Sequence, residues 1–174
     1  MTVDAFIPDK SGASKLAVVD SLDLAAYIVA KLGAMSHLKL QKLLYYCEAY
    51  HLAFFEKSII KDEFQAWVHG PVSVKVWVAL KDKANVHDFL TVKADQKPAL
   101  IKKIKDEVSK EQLKLIDDLL SAFGKKTSFE LEALTHEEQP WIEARRGTPP
   151  NEKSKTLLSK RTMKSFYQRK YFAA

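Results

Sequence analysis

The chain has 174 residues, 47% of them hydrophobic and 29% charged, with 28 Lys and Arg against 22 Asp and Glu for a formal net charge of +6. These are the proportions of one globular domain able to bury roughly two-thirds of its unfolded surface, and five Gly and six Pro exclude collagen-like and Pro/Gly-rich disordered chains. A single cysteine, Cys47, excludes an internal disulfide framework and points to a reducing cytoplasm, and no apolar run approaches the roughly 20 residues of a spanning helix.

Residues 1–19 read as a flexible N-terminal arm, because Pro8, Asp9, Ser11, Gly12 and Ser14 break any period. The arm lacks the charged-then-apolar order of a secretory signal, and its Val3, Phe6 and Ile7 are free to dock on the body or on a partner. From Ser21, Leu24, Ala25, Ile28, Val29 and Leu32 recur at helical steps, and Gly33 supplies a stop. Ser36 is the next N-cap candidate. Leu40, Leu43, Leu44, Cys47, Tyr50 and Phe54 then form a broad apolar stripe on a helix reaching about Glu56, the expected centre of the fold.

Ile59-Ile60 and Phe64, Ala66 and Val68 read as two short strands of a hairpin, punctuated by Gly70-Pro71. Proline suits a first helical turn, so the next helix is expected to start at Pro71 and to bury Val72, Val76, Trp77 and Leu80. An extended piece is expected at Phe89 to Val92, and a helix near Pro98. Ser109 with Gln112, and Thr127 with Glu130, match capping boxes that open two further helices. A short helix follows Pro140, and a last one starts at about Ser159 with Met163, Phe166, Tyr167 and Phe172 as its apolar side. The sum is a mainly α, single-domain helical bundle with one short β-hairpin, spanning residues 20–174.

Catalytic signatures are absent. Cys47 and His51 share a helix face, but two ligands make no metal site, and a thiol on an apolar stripe packs as a small hydrophobe. The run His136-Glu137-Glu138-Gln139-Pro140 begins like a metalloprotease helix, but Pro140 stands where the second histidine is required. The glycines are isolated, so no phosphate-cradling loop exists, and no serine sits in a nucleophile elbow. No cofactor is expected.

The C-terminal segment carries Lys153, Lys155, Lys160, Arg161, Lys164, Arg169 and Lys170 with no acid between, interleaved with Phe166, Tyr167 and Tyr171. Two readings stand: a basic face that grips an anionic partner, or an amphipathic terminal helix with one side packed and one solvated. Nucleic acid is not the favoured partner, since no helix-turn-helix spacing is present. The acidic stretch Glu130, Glu132, Glu137, Glu138 and Glu143 faces this tail or balances Arg145 and Arg146.

The sharpest patterns are Lys39-Leu40-Gln41-Lys42-Leu43-Leu44-Tyr45-Tyr46, then His51-Leu52, then Ala66-Trp67 with Gly70-Pro71-Val72, and then Leu134-Thr135-His136 with Glu138, Pro140 and Trp141. In this order they resemble the SocA-like antitoxin, or Panacea, domain over roughly Leu22 to Tyr167. The resemblance implies a non-enzymatic cytoplasmic antitoxin that binds and blocks a cognate toxin protein. A second reading within the family is a proteolytic adaptor that delivers the toxin to an ATP-dependent protease. The expected toxin-binding residues are Phe6, Ile7, the exposed parts of Tyr45, Tyr46 and Trp77, and Arg161, Lys164 and Arg169 of the basic helix. Lys39, Gln41, Lys42, Leu43, His51, Trp67, Gly70, Pro71, His136, Pro140 and Trp141 are motif positions expected to shape the fold.

Overall fold

Helix α2, His37–Phe55, decides the architecture because it has almost no solvent face: all of its nineteen residues except Lys39 and Phe55 are buried. A helix buried all round must be wrapped by the rest of the chain. In a computed structural model, which describes residues 15–83 and 89–172, the wrapping is done by α1 (Ser21–Leu32), α5 (Lys110–Phe123), α6 (Ser128–His136), α8 (Lys160–Phe172) and a β-hairpin. The remaining helices are α3 (Val74–Leu80), α4 (Lys97–Glu107), which packs on α1, and α7 (Gln139–Ala144), which packs on α8. The expected mainly α fold is the one observed, with eight helices and two small antiparallel sheets among the described residues.

Local signals set most helix ends. Asp20 caps α1 by accepting from Leu22 N at 2.8 Å, and Gly33 ends that helix at φ 88°. Ser36 caps α2 through Lys39 N at 3.2 Å. Both expected capping boxes close, Ser109 with Gln112 on α5 and Thr127 with Glu130 on α6. Pro98 and Pro140 stand in the first turns of α4 and α7.

The hairpin differs from expectation. Its strands are β2, Phe64–Trp67, and β3, Gly70–Ser73, paired Phe64 with Ser73, Gln65 with Val72, Ala66 with Pro71 and Trp67 with Gly70. The expected second strand is thus the first, and the helix expected from Pro71 begins three residues later at Val74. The cap is Ser73, whose Oγ accepts from Val76 N at 3.2 Å. Ile59 and Ile60 lie outside the hairpin. Their N–H groups donate to the Glu48 carboxylate of α2 at 2.9 and 3.1 Å, and Ile60 forms only an isolated parallel bridge with Val19. A buried carboxylate thus takes the place of a strand partner. The segment 156–158 covers the outer edge of β2, with Ala66 N donating to Thr156 O and Leu158 N to Phe64 O, each at 2.8 Å.

The extended piece expected at Phe89 to Val92 is β4, Phe89–Leu90, and its partner is β1, Met35–Ser36, just before α2. Of the expected arm, residues 15–19 are docked. Val19 is buried, and Ala17 exchanges two backbone bonds with the Gln112 side chain, both at 2.9 Å. Phe6 and Ile7 lie outside the described residues.

Candidate functional site

Most of the motif residues, spread over about a hundred positions, converge on the hairpin. From α2, the Gln41 amide grips the backbone of Ser73 on both sides, accepting from Ser73 N at 2.8 Å and donating to Ser73 O at 3.3 Å. The next residue, Lys42, is fully buried and its Nζ donates to Pro71 O at 3.1 Å. Burial draws the Lys42 ammonium down to about 7, against the pull of Glu132. Gly70 makes room for this lysine: a Cβ there would stand 2.6 Å from Lys42 Cε and 2.8 Å from Thr135 Oγ1, and its φ of 99° disfavours any other residue.

From the other side the hairpin rests on α6 and α7. Trp141 Nε1 donates to Trp67 O at 3.0 Å, and the His136 ring stacks on the Trp141 indole at 3.9 Å between centroids. Pro140, buried beside them, opens α7. Arg145 follows Trp141 by one turn and is buried without an ion pair. Its guanidinium donates to the carbonyls of Ala66, Pro149, Pro150 and Glu152 at 2.8 to 3.1 Å, lies over the Trp141 ring, and so ties the loop after α7 to the hairpin. The expectation that nearby glutamates balance Arg145 is therefore corrected: backbone carbonyls hold it.

Above this platform is a concave surface. A groove of about 490 Å³ opens between the first turn of α2, the outer face of the hairpin, Trp77 of α3 and residues 151–155. Trp77 stacks on His37 at 4.6 Å and meets Trp67 edge-to-face at 5.5 Å. The Trp67 N–H is taken by Gln65 Oε1 at 2.8 Å. Lys153, Lys155 and His69 line it, His69 with the Glu132 carboxylate against its ring at 3.0 Å, and no acidic residue is among the described lining residues.

A family model, antitoxin SocA-like, Panacea domain, matches residues 40–142. The chain belongs to this family. No curated protein and no solved structure matches it.

Within this Panacea domain the expected toxin-binding residues scatter. Tyr45 and Tyr46 are each 1% exposed, which corrects the expectation that parts of them face solvent. They belong to an aromatic cluster in which Tyr46 stacks on Phe123 at 4.5 Å and Tyr45 meets Phe64 edge-to-face. Their hydroxyls, with that of Tyr167, gather around the buried Glu138 carboxylate. Tyr46 donates to it at 3.1 Å, Tyr167 donates at 2.5 Å, and Lys170 pairs with it at 3.1 Å. Burial raises the Glu138 carboxyl above its ordinary value, and the tyrosine hydroxyls and Lys170 oppose this. Burial also drives the Tyr45, Tyr46 and Tyr167 phenols up, helped by Glu138, so they remain protonated donors. This knot closes α8 on α2.

The basic residues of α8 are largely engaged within the fold. Lys160 pairs with Glu48 at 3.1 Å, Lys164 with Glu56 at 3.0 Å and Lys170 with Glu138, while Arg169 donates to Gln139. Arg161 is exposed. Among the described members of the expected set, Trp77 alone lines the groove. The other motif positions hold elements together: Lys39 Nζ donates to Gly124 O at 2.7 Å at the end of α5, and Leu43 is core.

Cys47 and His51 sit in the core. Burial pushes the Cys47 thiol up to about 12. His51 Nδ1 donates to Lys57 O at 2.5 Å and Nε2 accepts from Gln112 Nε2 at 2.8 Å, and burial holds the ring down to about 4. A base lowered in the folded state is protonated first in the unfolded chain, so stability from His51 is complete above pH 6.5 and falls as pH drops toward 4. From pH 7 to 5 the protein is expected to lose about 2 kcal/mol more than His51→Gln, which can keep both hydrogen bonds. Urea titrations at the two pH values measure the difference. Among the described residues no cluster of three or more His, Cys, Asp or Glu is placed to hold a metal, and no helix is long and apolar enough to cross a membrane.

The signals that sequence reading passed over are polar residues inside apolar stripes. Glu48 interrupts the buried face of α2 and accepts from Ile59 N and Ile60 N, and Gln112, read from sequence only as half of a capping box, also bonds the His51 ring and the Ala17 backbone.

Proposed function

We propose that this Panacea domain is an antitoxin that neutralises a cognate toxin protein by covering it in a stoichiometric complex. The observation that carries the reading is the family match over residues 40–142. The chemistry of the interior agrees with it: the thiol of Cys47 is held protonated, His51 has both ring nitrogens engaged, and the buried Glu138 is committed to holding α8. A surface that offers an apolar, aromatic groove suits recognition of another protein better than bond making.

The test is co-expression. Induction of the neighbouring gene's product alone is expected to stop growth, and co-expression of this chain to restore it. Restoration that persists in a host lacking its ATP-dependent proteases supports direct neutralisation. Loss of protection in that host would instead assign the adaptor role, and absence of protection in both would overturn the antitoxin reading.

A further inference from the structure

The lysines of the C-terminal segment divide into two groups. Lys160, Lys164 and Lys170 are consumed by Glu48, Glu56 and Glu138. Lys153 and Lys155 are exposed, and neither makes an ion pair among the described residues. They lie two apart, with buried Ser154 between them, just before residues 156–158, which run along the edge of β2. Both line the groove.

The groove beneath them is the opposite in character. Its floor is built from Trp67 and Trp77, with Leu38 and Val72 contributing aliphatic surface. Leu157, bridged to the groove residue Gln65 and therefore on the same sheet face, carries the apolar surface outward at 52% exposure. Two features make this surface rigid. Arg145 anchors the loop that leads into Lys153, and Gln41 and Lys42 fix β3 from below. A pre-formed apolar slot with two unpaired ammonium groups at its rim and no carboxylate in its wall has a definite complement.

Resting on the antitoxin reading, we propose that this groove is the toxin-docking site and that its occupant is an acidic segment of the toxin. One large apolar side chain of that segment inserts against Trp67 and Trp77, and a neighbouring Asp or Glu meets Lys153 and Lys155. The volume of about 490 Å³ takes one or two large side chains, the dimension of an interface anchor rather than of a whole interface. The rim charges steer the segment, and the desolvated aromatic floor holds it.

The test uses the purified full chain and the purified product of the neighbouring toxin gene, titrated calorimetrically. Lys153→Glu combined with Lys155→Glu leaves the core untouched and reverses the rim. It is expected to weaken binding by about tenfold or more at low salt, with the loss shrinking as salt rises. Trp77→Ala, checked for an unchanged melting profile, is expected to weaken binding by about tenfold or more at every salt concentration. Lys105→Glu with Lys110→Glu, the same charge change on α4 and α5, is expected to stay within about twofold of the parent. If the parent captures the toxin and both groove variants match it, the groove proposal is overturned while the antitoxin reading stands. If the parent does not bind the toxin, both fall. A chain that is dimeric in light scattering, and monomeric once the rim is reversed, would give the groove to a second copy and also overturn the proposal.

Discussion

Gly70→Ala is expected to lower the unfolding free energy by about 3 kcal/mol, from a left-handed backbone that costs an L-residue roughly 1–2 kcal/mol and a clash that costs about as much again. The clash is specific: the new methyl would sit 2.6 Å from Lys42 Cε and 2.8 Å from Thr135 Oγ1. Moving either neighbour breaks a hydrogen bond, since Lys42 Nζ donates to Pro71 O and Thr135 Oγ1 donates to Glu132 O within α6. Urea unfolding followed by tryptophan fluorescence measures the loss. A double-mutant cycle separates its two parts. In a Lys42→Ala background the methyl has room, so Gly70→Ala is expected to cost at least about 1 kcal/mol less there than in the parent. Equal costs in both backgrounds would mean that backbone conformation alone sets the requirement for glycine.

Arg145→Ala is the second substitution expected to cost several kcal/mol, about 3 to 4. It removes charge-assisted donors from the carbonyls of Ala66, Pro149, Pro150 and Glu152. The buried Ala66 carbonyl, once it loses its donor, keeps the full cost of having left water, while the loop carbonyls of Pro149, Pro150 and Glu152, on exposed residues, lose the tie that holds the loop. Arg145→Lys is expected to recover less than half of the loss, since one ammonium cannot reproduce the fork that serves carbonyls on two sides. Thermal melting gives the magnitude, and trypsin gives the location. With the loop released, cleavage is expected to accelerate after Arg146 and Lys153 before it does elsewhere. Uniform acceleration along the chain would show that Arg145 stabilises the domain globally and does not hold the loop.

These two residues also show how far local pattern reaches. Helix ends were readable wherever the signal was local, as with Gly33, Ser36, Ser109 with Gln112 and Thr127 with Glu130, because a cap is made by residues three apart. The hairpin was displaced because its determinants are distant. Ile59-Ile60 has the composition of a strand, but its N–H groups are answered by Glu48, which lies on a helix eleven residues earlier. Pro71 has the statistics of a helix opener, but Gln41 holds Ser73 extended and moves the cap to that serine. Tyr45 and Tyr46 look like interface anchors on amphipathic grounds, yet α2 is enclosed on every side. Its enclosure depends on Gln41, Lys42, Glu48 and His51 each finding a partner from another part of the chain. Of the groove, sequence marked Trp67 and Trp77 as aromatics and Lys153 and Lys155 as basic. Their assembly on one surface follows from residues 156–158 lying along β2 and Arg145 holding the loop before them, which no short-range pattern announces.

The decisive experiment is a titration in a purified system: the toxin's own reaction is followed while this chain is added, with no protease present. Inhibition that rises in proportion to added chain and is complete at one equivalent is the predicted result, since each domain occupies one toxin. Full inhibition by a small fraction of an equivalent, or undiminished toxin activity in the presence of excess chain, would contradict neutralisation by covering.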